Sequence, residues 1–310
     1  MGRVGYNPKK GRIKTDAFVT IDRGFIAHLK IAAAAAPALS ANAVLALTNM
    51  GAAAQAITAG ITNPAVSRAL SIVSNKSNAA GNVVITGRNY AGEAITETLA
   101  LNGVTTRNGA KAFRDVLSVS LPVQTNTPVA QVETATVVAD VSEGGDAAVT
   151  VASALFEENV VLAVAVETGD DQDDVAAAIR AAMEADPVIS AHFDVSGENA
   201  AVILTAKLPA ANDATLNIAI ATGTATGVTT AATSANTTAG VDYDKVSVGF
   251  NDILGLPYLL AHNTVLAAAL NNVRETNAPT VTVSATTLES NTVKLHSALA
   301  GQVVDVYLIA

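Results

Sequence analysis

Hydrophobic and polar positions alternate most regularly between Asn82 and Pro122. Val83-Val84-Ile85-Thr86 opens this stretch, Gly87 to Gly92 turns it, and Ala94 to Leu101 resumes it. In the second run Ile95, Glu97, Leu99 and Leu101 share one face, and Thr96, Thr98 and Ala100 the other. That is the two-residue period of a half-buried strand, with Glu97 as the one misfit. Asn102-Gly103 suits the positive φ angles of a tight hairpin. Val116 to Leu121 forms a third strand and stops at Pro122, which has no N–H for a continuing ladder. The pattern predicts a β-meander.

The same reading extends along the chain. Residues 1–16 hold Gly2, Gly5, Pro8 and Gly11 and read as an irregular, mobile arm that orders on a partner. Ala17 to Ile31 contains two strand-like runs split by Asp22-Arg23-Gly24. Ala32 to Ile61 is Ala-rich, which favours helix locally, but Pro37 and Gly51 cut any helix short. Arg68 to Val73 is a strand leading into the meander, and Glu133 to Val138 another beyond it. Ser142-Glu143-Gly144-Gly145-Asp146 reads as a hinge. Beyond it, Val160 to Val166 is a strand, and Val175 to Ala185 a helix with Val175, Ile179 and Met183 on one face, ended by Asp186-Pro187. Ala191 to Val195, Ala201 to Lys207 and Leu216 to Ile220 are strands, followed by a nearly uncharged stretch to Gly240. Lys245 to Phe250 is a strand and Asn251 to Tyr258 a tight loop. Val281 to Ser284, Asn291 to His296 and Gln302 to Ile309 complete the pattern. The expected fold is mainly β: a β-sandwich or jelly-roll-like body over 17–141 and 242–310, a basic arm over 1–16, and a small inserted α+β domain over 142–241.

Charge changes this picture in two places. The net charge of −9 over 310 residues is a poor field for nucleic acid, so no direct nucleic-acid contact is expected. Yet the first fourteen residues hold Arg3, Lys9, Lys10, Arg12 and Lys14 and no acid. Their simplest use is to sit on an acidic protein surface. From Ile31 to Ser67 there is no charge at all. Such a segment is either buried or covered by another subunit, because large apolar patches seldom stay exposed. Pro37, Asn42, Asn49, Gly51 and Gln55 interrupt it too often for a membrane span, and no leader peptide is apparent.

The candidate chemistry is thin. The absence of cysteine excludes a disulfide framework, a thiolate nucleophile and Cys-ligated metal. Asp170, Asp171, Asp173 and Asp174 are the densest charge, but they lack the glycine and final glutamate of a calcium loop and sit where acids cap a helix. Gly87-x4-Gly92 has phosphate-loop spacing, but Glu93-Ala94 stand where lysine and a hydroxyl are needed. His28, His192, His262 and His296 are scattered, and no nucleophile elbow or dinucleotide fingerprint occurs. No enzyme, cofactor or metal is expected.

Several segments resemble virion structural proteins of tailed bacteriophages, most of all head decoration (capsid cement) proteins. They are Asn63 to Ile72, Gly81 to Gly87, Glu97 to Gly103, Lys111-Ala112-Phe113 leading to Leu121-Pro122, Val248-Gly249-Phe250, Leu254 to Tyr258, and Gly301 to Tyr307. Val175 to Ile179 and Leu204-Thr205-Ala206 are similar to small modules of phage tail and sheath proteins. The resemblance implies a non-enzymatic protein on the capsid exterior, made in the host cytoplasm. Its partners would be the major capsid protein and further copies of itself, a trimer being the expected form, with no membrane contact. A tail or fibre protein that binds the host surface is the alternative.

Overall fold

The computed structural model describes residues 5–7, 12–14, 20–22, 26–36, 38–228, 232–299 and 301–309. The chain is mainly β, with 49% of residues in strands against 9% in helices, arranged in antiparallel sheets. It divides into two compact units, residues 1–125 with 245–310, and residues 126–244.

In the first unit the strand Lys245–Gly255 is the central member of a six-stranded sheet. Arg68–Ser74 pairs along one side of it. Ser40–Asn49 and then Thr292–Lys294 pair along the other. A second sheet runs Gln55–Ile57, Asp115–Leu121, Asn82–Arg88, Ala94–Ala100. Leu70, Ile72, Val246 and Val248 from the first sheet join Val83, Ile85, Leu99 and Val119 from the second in one buried cluster. The expected meander is therefore a hairpin with a detour. After Ala94–Ala100 the chain crosses to pair Arg107–Phe113 with Arg68–Ser74, then returns to pair Asp115–Leu121 with Asn82–Arg88. The crossing lets Phe113 reach the shared cluster, where it is fully buried. A further sheet, Val273–Arg274, Val265–Leu270, Val304–Ile309, Ile26–Ile31, closes over a separate cluster that includes Leu254, Val293, Val304 and Val306.

Glu97, the misfit of the alternating pattern, has a structural reason. Its Oε1 accepts the N–H groups of Ala110 at 2.7 Å and Lys111 at 3.2 Å. Those N–H groups belong to the irregular stretch between Asn108 and Ala112, where the ladder to Arg68–Ser74 shifts register. Gly109 lets the carboxylate approach, since a Cβ there would overlap Glu97 Oε2. Glu97→Ala should lower stability by about 1.5 kcal/mol, the worth of hydrogen bonds to a charged acceptor. A shifted urea midpoint at unchanged m-value is the expected readout.

Three expectations change. The residues of the basic arm are not irregular throughout: Gly5–Asn7, Arg12–Lys14 and Thr20–Asp22 form an antiparallel sheet. One row of its register holds Tyr6, Ile13 and Ile21. The Ala-rich segment contains the ten-residue strand Ser40–Asn49, because pairing with Lys245–Gly255 overrides the local helical preference of alanine. Asn251 to Gly255 is strand and not loop, a point that depends on Arg68 and is taken up below.

The second unit is larger than 142–241. Val132–Thr136 lies inside its sheet, paired with Ala201–Ala206 on one side and Ala235–Thr238 on the other. A bridge between Val129 and Val241 closes its two ends. Residues 142–146 are not a hinge, since they are divided between the paired strands Ala139–Glu143 and Gly145–Ala152. A second sheet runs Val160–Val166, Gly145–Ala152, Asn217–Ala221, Ala232–Thr233. Helix α1 (Gln172–Ala185) buries Val175, Ala176, Ile179 and Met183 in the same cluster as Val149, Val164 and Leu204. Helix α2 (Pro187–His192) follows at once. Asp186-Pro187 thus ends one helix and starts the next, with the Asp186 carboxylate accepting from Val188 and Ile189.

Candidate interaction surface

The uncharged segment is the feature to build from. Strand Ser40–Asn49 sends Val44 and Leu45 into the core, and Met50 follows them. The same strand leaves Ala41, Asn42, Ala46 and Leu47 exposed, and Leu39 just before it is 60% exposed. Ala52, Ala53 and Ala54 form an exposed turn, and Thr58, Ala59 and Gly60 a second. Burial within the chain accounts for only part of the segment: Ile31, Ala36, Val44, Leu45 and Met50 are buried, whereas the residues just named are exposed. The segment forms an uncharged, largely alanine surface, and water gains little from solvating it. The backbone here is well tied: Thr62 N donates to the Val44 carbonyl at 2.8 Å, and Gln55 Nε2 to that of Asn49 at 2.5 Å.

The basic residues divide differently. Arg3, Lys9 and Lys10 lie outside the described residues. Arg12 and Lys14 lie on the middle strand of the N-terminal sheet, with Arg12 in register between Asn7 and Asp22, and Lys14 between Gly5 and Thr20.

The acidic groups act mainly as acceptors for backbone N–H. Asp171 caps α1 by accepting from Asp173 and Asp174, and Asp174 returns the bond to the Asp171 N–H, a reciprocal box. Among the described residues no group of three His, Cys, Asp or Glu side chains is placed to hold a metal ion. At the Gly87–Gly92 turn, Asn89 Oδ1 accepts from Ala91 and Glu93, both at 3.0 Å, so the glycine spacing serves a turn. His28 Nε2 lies 2.7 Å from Asp305 Oδ1 and its ring stacks on Tyr307. Two shallow clefts of about 200 and 410 Å³ flank residues 274–277. Between them Glu275 accepts from the N–H groups of His296 at 2.6 Å and Ser297 at 3.2 Å.

Asp213 of the second unit is held by four hydrogen bonds. Its carboxylate accepts from Ser153 Oγ at 2.9 Å, Ala154 N at 2.8 Å, Thr215 N at 2.8 Å and Thr215 Oγ1 at 2.6 Å. Burial pushes its pKa up, but these bonds together outweigh burial and hold it below the usual carboxylate value. A lowered folded pKa adds stability above the unfolded value, lost as pH falls through the folded one. Asp213→Ala should therefore cost about 1–3 kcal/mol at neutral pH. Its deficit should shrink in acid, below the folded pKa, in urea melts followed across the acid range.

In comparisons with known proteins, no family model, no curated protein and no solved structure matches the chain. The fold and the surface chemistry therefore stand on the residues alone. No described helix is long and apolar enough to cross a membrane.

Proposed function

We propose that this chain is a non-enzymatic virion structural protein of a tailed bacteriophage, bound as a homo-oligomer to the outside of the capsid shell and stabilising it. The observation that carries this reading is the exposure, in a single copy, of Leu39, Ala41, Ala46, Leu47 and Ala52 to Ala54 within the uncharged stretch 31–67. The resemblance of the strand-and-turn segments to decoration proteins supplies the class. On this reading the two sheets that share a core form a sandwich-like body presenting that surface to neighbouring copies or to the shell. Arg3, Lys9, Lys10, Arg12 and Lys14 dock on acidic capsid protein. A partner that binds only the assembled shell stabilises it by mass action.

Quantitative mass spectrometry of purified virions tests the reading. Copies in simple proportion to the major capsid protein, in the hundreds by rough expectation for a binder of every shell position, support decoration. A handful per particle overturns it and favours the tail or fibre reading, for which the separate core of the second unit is the specific support. Deleting residues 2–14 should reduce capsid occupancy.

A further inference from the structure

Sheet edges expose unpaired N–H and C=O groups, and proteins protect them with charge, bulges, short length or cover. Among the described residues the edge strands show those devices with one exception. Ile26–Ile31 carries His28 and Lys30, and Phe193–Ser196 is four residues long with Asp194. Ala94–Ala100 is tied down by Lys111 Nζ on the Thr96 carbonyl at 2.9 Å. Ser40–Asn49 is bulged and has its Val44 carbonyl taken by Thr62. Val160–Val166, Val-Val-Leu-Ala-Val-Ala-Val, has no charge, no proline and no bulge in its seven-residue ladder with Gly145–Ala152. Among the described residues no strand pairs with its other side.

We propose that this edge pairs with the same strand of a second copy, antiparallel about a two-fold axis at Ala163, joining two four-stranded sheets into one of eight strands. The burial of the strand points to this occupant. Val164 and Val166 are buried in the same core as α1, whereas Val160 and Leu162 are only partly covered. The strand is thus under-covered at its start and well covered at its end. A two-fold at Ala163 sets Val160 beside Val166 and Leu162 beside Val164, so each copy covers the deficit of the other. The outward residues Val161, Ala163 and Ala165 are small and oppose one another without charge. Glu167 falls opposite Asn159, and Glu157, Glu158 and Asp170 lie in the bends and turn just beyond the strand ends. These flanking acids oppose the pairing, so salt strengthens it by screening them. An interface steered by opposite charges would weaken. The inference is independent of the proposed function, since it rests on one sheet of the second unit.

The test uses the full chain in sedimentation at low and high salt. Wild type should self-associate, and more tightly at high salt. Ala163→Lys places like charges opposite each other at the axis, and Ala163→Glu does the same. Each alone should weaken association roughly tenfold or more. Mixing the two variants should restore it, because only a two-fold at Ala163 brings residue 163 against itself. The residue is exposed, and unchanged thermal melts of both variants verify folding. A monomeric wild type at high salt overturns the proposal, as does association of Ala163→Lys equal to wild type, or failure of the mixture to recover.

Discussion

Arg68→Ala should cost about 3–5 kcal/mol, the loss expected when one partner of a buried ion pair is removed. Among the described residues Arg68 is the largest fully buried side chain. It sits where Lys245–Gly255 changes partners, Phe250 pairing with Leu70 and Leu254 with Arg68, so that residues 251–253 bulge against a single residue of the neighbour. Arg68 Nε donates to the Asn251 carbonyl at 2.8 Å, and Nη2 to Asp252 Oδ1 at 3.2 Å. Its guanidinium carbon lies 5.0 Å from the centre of the Phe250 ring. Burial raises the pKa of Asp252, against the pull of Arg68 and Lys294. A raised folded pKa gives stability below the unfolded value that is lost as pH rises through the folded one. Removing Arg68 raises it further. The deficit of Arg68→Ala should therefore be smaller near about pH 4, close to the unfolded value of an aspartate, than at neutral pH. Adding Asp252→Asn should recover part of the neutral-pH loss. A loss that is the same at both pH values would refute the electrostatic account.

This arrangement also shows where the chain is readable and where it is not. Val160 to Val166 is legible as written, because an uncharged run of branched residues between polar turns has one ready reading. The capping role of Asp171 and its neighbours is legible, since a cap needs only local atoms, although α1 begins at Gln172 and not at Val175. Asn251-Asp252 reads as a loop because the group that supports it as strand, Arg68, is 183 residues away. Glu97 reads as a misfit for the same reason: the N–H groups it serves lie 13 and 14 residues on, across a crossing between sheets. Ser40–Asn49 is obscured by alanine, whose local preference is settled only by the strand beside it. As for the surface, its lack of charge is plain in the sequence. Its exposure is not, because that depends on which faces the sheets leave uncovered.

Gly249→Ala should be the second large effect, on the order of 3 kcal/mol by forced overpacking. Gly249 lies within a register shift: Val248 pairs with Leu45 and Phe250 with Ser40, so Ser40–Asn49 has extra residues opposite it. A Cβ at Gly249 would overlap the Ser40 carbonyl oxygen and lie 2.6 Å from the Ala41 carbonyl carbon. Both atoms are backbone, which has no rotamer to yield. Gly60→Ala is the informative control. Gly60 has φ +70° but open space around a Cβ, so its cost is conformational only, about 1–2 kcal/mol. At roughly 2–4 °C per kcal/mol for a unit of this size, Gly249→Ala should lower the melting temperature by about 6–12 °C, clearly more than Gly60→Ala. The reverse order would mean that the strands do not approach as described. Relief of the clash requires Ser40–Asn49 to move away from Lys245–Gly255, and the exposed Ala41, Ala46 and Leu47 move with it. A single methyl group in the interior should thus weaken whatever binds the uncharged surface while leaving every exposed side chain unchanged. On the proposed capsid role, occupancy of Gly249→Ala on the shell, measured at a temperature where the variant remains folded, reads that coupling directly.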